Sequence, residues 1–286
     1  MRVLVTGASG QLGREVVEVC TGAGDTVVAC DHATMDLADR DRVLQVVAAA
    51  APDAIVHAAA WTDVDGCETD PDRAYAVNAL GTRHVAEAAR DVGARVCYVS
   101  TDYVFDGTAS RPYREWDATN PVSVYGRSKL AGESVLGPGD TVVRTSWVCG
   151  RHGKNFVKTI LGRAAQGRPL TVVADQHGCP TFAEDLAGMV RLLVVGRRPG
   201  VFHVTNQGAT TWFGFARDAV VAAGLDPALV TPISTAELQP PRAAPRPANS
   251  VLDNAALRLS GLPLLPDHRE PLERLAKQYA ASGFPA

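Results

Sequence analysis

The chain has 286 residues, 46% of them hydrophobic, with 28 basic and 31 acidic side chains and a formal net charge of −3. That length and apolar content suffice to bury a large core, as one large domain or two modest ones. The near-balanced charge lacks the basic surplus of a nucleic-acid binder, and no window approaches the ~18 apolar residues of a membrane span.

The first half alternates short β-branched runs with longer helical patterns. RVLVT (2–6) reads as a buried strand, and QLGREVVEVCTGAG (11–24) as a helix that stops at glycines. TVVAC (26–30) is a second strand, ADRDRVLQVVAAAA (38–51) a helix, and AIVHAAA (54–60) a third strand. A long helix is expected over 71–93, with proline at its start and glycine at its end. RVCYVS (95–100) is a fourth strand, SVYGRSKLAGE (123–133) a helical region, and TVVRTSWV (141–148) a fifth strand. Strands that are apolar throughout and separated by helices imply a parallel sheet covered on both faces, a doubly wound α/β domain.

Beyond residue 148 the pattern loosens. Helices are expected at 154–166, 182–195, 212–223 and near 270–281, and strands at 169–174 and 200–205. The proline-rich stretch 232–250 reads as an extended loop. The expected division is a dinucleotide-binding domain over 1–148 and a substrate-binding lobe over 149–286, with some segments of the second returning to pack on the first. The six cysteines show no C-x-x-C and no zinc spacing, so they read as free thiols of a reducing cytoplasm. The opening MRVLVTGASG has an apolar run too short for a secretory signal.

TGASGQLG follows the first strand and opens the first helix, giving Gly7, Gly10 and Gly13 in the spacing G-x-x-G-x-x-G. Glycines there allow a tight turn and close backbone approach, and a helix N-terminus attracts a pyrophosphate. The competing reading is a plain chain reversal. The strand-turn-helix context favours dinucleotide binding, with Gln11 and Leu12 in the same turn. Asp31, just past the second strand, stands where an acid meets the adenosine ribose, which leans towards NADH over NADPH. Asp36 and Leu37 follow at positions that could flank the adenine, although Asp36 could equally cap the next helix.

Three groups fall at the carboxyl ends of strands, where such sheets bind ligands. Ala58, Ala59 and Ala60 let a cofactor lie close, or simply pack a helix on the sheet. Ser100, Thr101 and Asp102 form a polar triplet poorly placed for a core. Tyr125 and Lys129 share a helix face at i,i+4. A nearby ammonium favours the phenolate and lowers the tyrosine pKa, which would tune a proton donor. The spacing by itself fits a solvated surface pair equally well. The glycine turn and the polar strand end tilt the reading to catalysis.

In order and spacing, TGASGQLG, STD (100–102) and YGRSK (125–129) resemble the extended short-chain dehydrogenases/reductases. AAAWTDVDGCE (58–68), STDYVFDG (100–107), VYGRSKLAGE (124–133), DQHGCPT (175–181) and RPANSVL (246–252) extend the resemblance, across almost the whole chain, to the dTDP-4-dehydrorhamnose reductase family. The resemblance implies reduction of the C4 keto group of a dTDP-4-keto-deoxysugar by NADPH or NADH. It implies a triad of Thr101, Tyr125 and Lys129, with Tyr125 as proton donor. Thr62 matches a cofactor position, and Asp102, Tyr103 and Trp147 would surround the sugar. Asn155, Phe156, Gln176 and Arg246 match stretches that face the nucleotide-sugar, though Arg246 fits a solvated loop equally well. Glu15 and Glu184 match carboxylates that some members use around a dimer-bridging Mg²⁺, which would make a homodimer; two scattered glutamates fit solvated surface too. Tyr103 stands where the related 4,6-dehydratases carry Glu. Cys149 departs from the tyrosine usual in the family and leaves the choice of ketosugar open. A non-catalytic nucleotide-binding subunit is the reading from another class, and the intact triad argues against it.

Overall fold

The computed structural model describes residues 1–284. The first half of the chain folds as β1 (Arg2–Thr6), α1 (Gln11–Gly22), β2 (Thr26–Cys30), α2 (Arg40–Ala50), β3 (Ala54–His57), α3 (Val64–Thr69), α4 (Pro71–Tyr75), α5 (Gly81–Val92), β4 (Arg95–Thr101), α6 (Val124–Glu133) and β5 (Thr141–Thr145). The rest comprises β6 (Val148–Cys149), α7 (Phe156–Ala165), β7 (Leu170–Val173), β8 (His177–Gly178), β9 (Thr181–Phe182), α8 (Ala183–Val195), β10 (Gly200–His203), β11 (Thr210–Thr211), α9 (Trp212–Ala222), β12 (Val230–Ile233), α10 (Ala255–Leu259) and α11 (Arg269–Ser282). Among the described residues no helix is long and apolar enough to cross a membrane.

Six strands form one parallel sheet in the order β10-β5-β4-β3-β1-β2. Alternation along each strand sends side chains to opposite faces. Val3, Val5, Val56 and Val143 pack under α1 and α8, while Leu4, Ile55, Val96 and Tyr98 pack under α2 and α5. Both faces are therefore buried, which explains why the strands read as unbroken apolar runs. The strand order reverses at β1, between β2 and β3, and a crevice opens there at the carboxyl ends. The later segments add to this body: β10 pairs with β5, and α8 packs on α1. A second apolar cluster gathers α7, α9 and α11.

Two expected elements differ in detail. The helix over 71–93 contains a π-helical stretch at Ala76–Leu80 between α4 and α5. That stretch carries the buried Asn78, and α6 lies so near that a Cβ on Gly132 would stand 2.6 Å from the Asn78 carbonyl oxygen. The fifth strand stops at Thr145 instead of 148, because Trp147 takes a left-handed φ of 47° that breaks the ladder. The chain then resumes as β6, paired with β9.

Candidate active site

The glycine turn is built for close approach. Gly7 has φ 65°, and a Cβ there would lie 2.8 Å from the Cα of Ala59. A Cβ on Gly13 would sit 2.0 Å from the Gly7 carbonyl oxygen. Only glycine closes this turn so tightly, and no side chain caps the α1 N-terminus at Gly10. The first backbone N–H groups of α1 thus remain available to a ligand.

A buried polar chain locks this turn to β3. The Thr82 hydroxyl donates to the Asn78 carbonyl at 2.7 Å, so it must accept from His57 Nε2 at 3.1 Å. His57 Nδ1 then accepts from the Thr6 hydroxyl at 2.7 Å, and Thr6 Oγ1 accepts the Ala59 N–H at 3.1 Å. Burial pushes the His57 pKa down to about 3, which keeps the ring neutral as this chain requires. Asn78 extends the network: it accepts from Trp61 N–H at 2.8 Å and donates to Ser128 Oγ on α6 at 3.0 Å.

The start of α6 fixes Tyr125. Ser123 caps the helix by accepting the Gly126 N–H at 3.1 Å, and Glu68 accepts the Val124 N–H at 2.7 Å. Gly126 lets the helix close on β4's end; a Cβ there would be 2.1 Å from the Tyr103 carbonyl oxygen. Tyr103 packs edge-on against Tyr125, ring centroids 5.8 Å apart.

Tyr125, Lys129 and Glu133 follow one another at i,i+4 along α6. Lys129 is buried, its Nζ donates to the Val99 carbonyl at 2.7 Å, and it lies 4.0 Å from the centre of the Tyr98 ring. Glu133 holds Arg144 through a buried fork, with Nη2 donating to Oε2 at 2.7 Å, and accepts from the Ser100 hydroxyl. Burial lowers the Lys129 pKa to about 7, with the Glu133 charge opposing. Burial also raises the Tyr125 phenol well above its usual value, with the Thr101 hydroxyl opposing first. The expected lowering of Tyr125 by Lys129 is therefore corrected: burial is the largest influence on the phenol, and Lys129 is not among the groups that shift it.

Two cavities meet at this site. The first, of about 550 Å³, is lined by Gly10, Gln11, Leu12, Ala58, Ala60 and Thr62 on one side and by Thr101, Asp102, Tyr125, Lys129 and Trp147 on the other. The second, of about 660 Å³, is lined by Phe156, Gln176, Arg246, Arg163 and Arg242. Tyr103 and Trp212 line both. Trp212 stacks on Trp147 with centroids 3.6 Å apart. The glycine turn, the free N–H groups and a cavity reaching from them to Tyr125 and Lys129 fit a dinucleotide.

The family described as RmlD substrate binding domain matches residues 1–281. The chain belongs to this family. It is similar to the dTDP-4-dehydrorhamnose reductase of Streptomyces griseus, 43% identical over 270 residues that cover 91% of this chain and 88% of the relative. It is also similar to a probable dTDP-4,6-dihydroxy-2-methyloxan-3-one 4-ketoreductase of Streptomyces antibioticus, 40% identical over 100% of this chain and 98% of that one. Among solved structures, a dTDP-4-dehydrorhamnose reductase from Bacillus anthracis in complex with NADP superposes with a TM-score of 0.92 at 39% identity, covering 97% of this chain and 99% of that one.

Several expectations for this RmlD-family chain change in the structure. Asn155 lines neither cavity. Its side chain caps α7 by accepting the Lys158 N–H at 3.1 Å, and donates to Gln11 Oε1 at 2.8 Å and Gly150 O at 2.7 Å, so its polar groups are spent on joining the loop to α1. Leu37 is buried in the core beside α2 and α5. Asp36 accepts the Ala38 N–H at 3.0 Å, while Asp39 caps α2. Asp31 lies past β2, outside both cavities, and its carboxylate accepts from Thr34 N–H at 3.0 Å. Ala59 meets the backbone of Gly7 instead of the cavity. Arg246 lines the second cavity, but its fork is occupied by Asp65, with Nη2 donating to Oδ2 at 2.8 Å. Glu15 and Glu184 share a small pocket with Arg151 and Arg274, and both Glu15 oxygens accept from Arg151, at 2.9 and 2.8 Å. The cation on Glu15 is a guanidinium, which opposes a Mg²⁺ at that carboxylate. Cys149 is 1% exposed among Val157, Phe182 and Leu272 and lines neither cavity.

Sequence reading missed Asn78, Trp212 and Arg163. An asparagine inside a helical pattern, costly there without a partner, was the available signal for Asn78.

Proposed function

We propose that the chain reduces the C4 keto group of dTDP-4-dehydro-L-rhamnose with NADPH, a cytoplasmic step of nucleotide-sugar synthesis. The observation that carries this reading is one cavity with the glycine turn at one end and Thr101, Tyr125 and Lys129 at the other. The reductase relatives and the NADP complex of a 39% identical protein support it. When bound, the nicotinamide supplies a hydride to C4.

The chain's own residues do the rest. Burial keeps Tyr125 protonated through the neutral range, the state an acid must start from, and it gives its proton to the keto oxygen. Thr101 orients the same oxygen. Lys129, held on Val99, offers its ammonium to the ribose side of the cavity. The stacked Trp147 and Trp212 and the edge of Tyr103 exclude water around the sugar. Arg163, which has no ion-pair partner among the described residues, and Arg242 line the wall of the second cavity and suit the diphosphate.

NADPH is favoured over NADH at the adenosine end. Asp31 is engaged by Thr34, and Arg42 braces the same turn by donating from Nε to Thr34 O at 3.0 Å. A guanidinium there suits a 2′-phosphate. The deciding experiment supplies dTDP-4-dehydro-L-rhamnose and dTDP-4-keto-6-deoxy-D-glucose separately and follows NADPH and NADH oxidation. Faster turnover of the first sugar with NADPH supports the reading; oxidation with neither sugar overturns it.

A further inference from the structure

Thr101 has one hydroxyl proton and two lone pairs. In the structure it donates to Asp102 Oδ1 at 3.0 Å and accepts the Tyr103 N–H at 3.2 Å. The remaining lone pair is all it can offer to a keto oxygen, which is itself an acceptor. In this state Thr101 repels the atom it is meant to hold.

The second observation lies on Asp102. The residue is 2% exposed and lines the cavity, and its Oδ2 is buried with no hydrogen-bond partner. The Ser250 hydroxyl on that side donates instead to the His177 carbonyl at 3.4 Å. An ionised carboxylate with one bare oxygen is costly in such surroundings. A neutral carboxyl can place its proton on Oδ1 and donate to Thr101 Oγ1 across the same 3.0 Å. The Thr101 proton is then released towards the cavity.

We propose that Asp102 is a positioning residue that sets the direction of the Thr101 hydrogen bond: protonated, it makes Thr101 a donor to the substrate's keto oxygen, and ionised, it takes that donor away. This rests on the reductase reading above. The ionisable groups facing Asp102 are Tyr125 from α6, Tyr103 beside it and Cys179 from the segment before β9. Burial holds all three neutral: both phenols are pushed up, and the Cys179 thiol rises to about 11. Burial likewise pushes the Asp102 carboxyl up to about 7, with the neighbouring Ser250 and Thr101 hydroxyls only partly opposing, so the switch falls in the neutral range.

The test is the pH profile of kcat with saturating NADPH and ketosugar. Lys129 titrates in the same range, so the readout is the difference between wild type and variants. Asp102→Asn carries a permanent N–H donor towards Thr101, and its falling limb above pH ~7 should lose about one proton of steepness relative to wild type. Thr101→Val should lose the same proton, and Thr101→Ser should keep it. A falling limb unchanged in both folded Asp102→Asn and Thr101→Val overturns the proposal. Difference infrared spectroscopy of wild type against Asp102→Asn gives a readout without turnover. A protonated-carboxyl band that vanishes on raising the pH through ~7 supports the proposal, and its absence below that pH overturns it. If wild type reduces no ketosugar, the functional reading fails, while the infrared band still decides the state of Asp102.

Discussion

The two cavities are built by different means. The walls of the catalytic cavity are wired by buried polar chains: Thr6, His57, Thr82, Asn78 and Ser128 on one side, Ser100, Glu133 and Arg144 on the other. The second cavity is framed by Trp212, which stacks on Trp147 of the first, and by part-buried ion pairs between distant loops, such as Arg246 on Asp65. Fully satisfied buried networks fix one geometry, whereas stacked rings and half-exposed pairs yield more readily. The contrast matches what each end must do. Proton transfer tolerates little misplacement, while gripping a nucleotide-sugar requires the ligand to enter and leave.

The sharpest way to break the contrast is at the reacting end. Tyr125→Phe should lower kcat by about 10²- to 10⁴-fold while NADPH still binds, as read by fluorescence titration. Near-normal turnover would remove Tyr125 as the acid. His57→Leu leaves the buried Thr6 hydroxyl proton without an acceptor and should cost about 1–3 kcal/mol in urea unfolding, with a matching loss of cofactor affinity because the glycine turn loosens. Unchanged affinity would show that the turn holds without the chain.

Smaller effects are expected at the second cavity. The Arg246 fork holds the Asp65 carboxyl down at about 2. Because the folded value is depressed below the ordinary one, this pair stabilises the fold above pH ~4, and the gain is lost as pH falls through ~2. Melting temperatures of wild type and Arg246→Met should therefore converge as pH drops across that window. A constant gap would mean that the arginine acts by packing alone. Ser123→Ala removes the α6 cap and should cost about 1 kcal/mol, with kcat falling more than KM rises since Tyr125 sits in the first turn. An effect confined to KM would place the helix start outside the reacting geometry.

Much of the catalytic cavity was legible in the sequence because its parts are local signals. Gly7 to Gly13 form one turn, Thr101 and Asp102 end one strand, and Tyr125 and Lys129 share one helix face, each a short-range consequence of backbone geometry. In the second cavity the resemblance supplied Phe156, Gln176 and Arg246, but not their partners. Trp212 meets Trp147 from 65 residues away in the chain, Arg246 meets Asp65 from 181, and no spacing announces such partners. Asn155, expected at the nucleotide-sugar from the resemblance, spends its side chain on Gln11, 144 positions earlier, on Gly150 and on the cap of α7.

The sequence by itself determined the parallel α/β layering, since apolar strands alternating with amphipathic helices can bury their faces in few other ways. It also determined which residues stand at the strand ends. Only the tertiary structure decided the electrostatic state of those residues. Tyr125, Lys129 and Asp102 have ordinary pKa values as sequence letters, and burial moves all three: the phenol upwards, the ammonium down to about 7, the carboxyl up to about 7. Desolvation depends on everything packed around a group, and that environment comes from β4, α6 and the loop at Ser250 together.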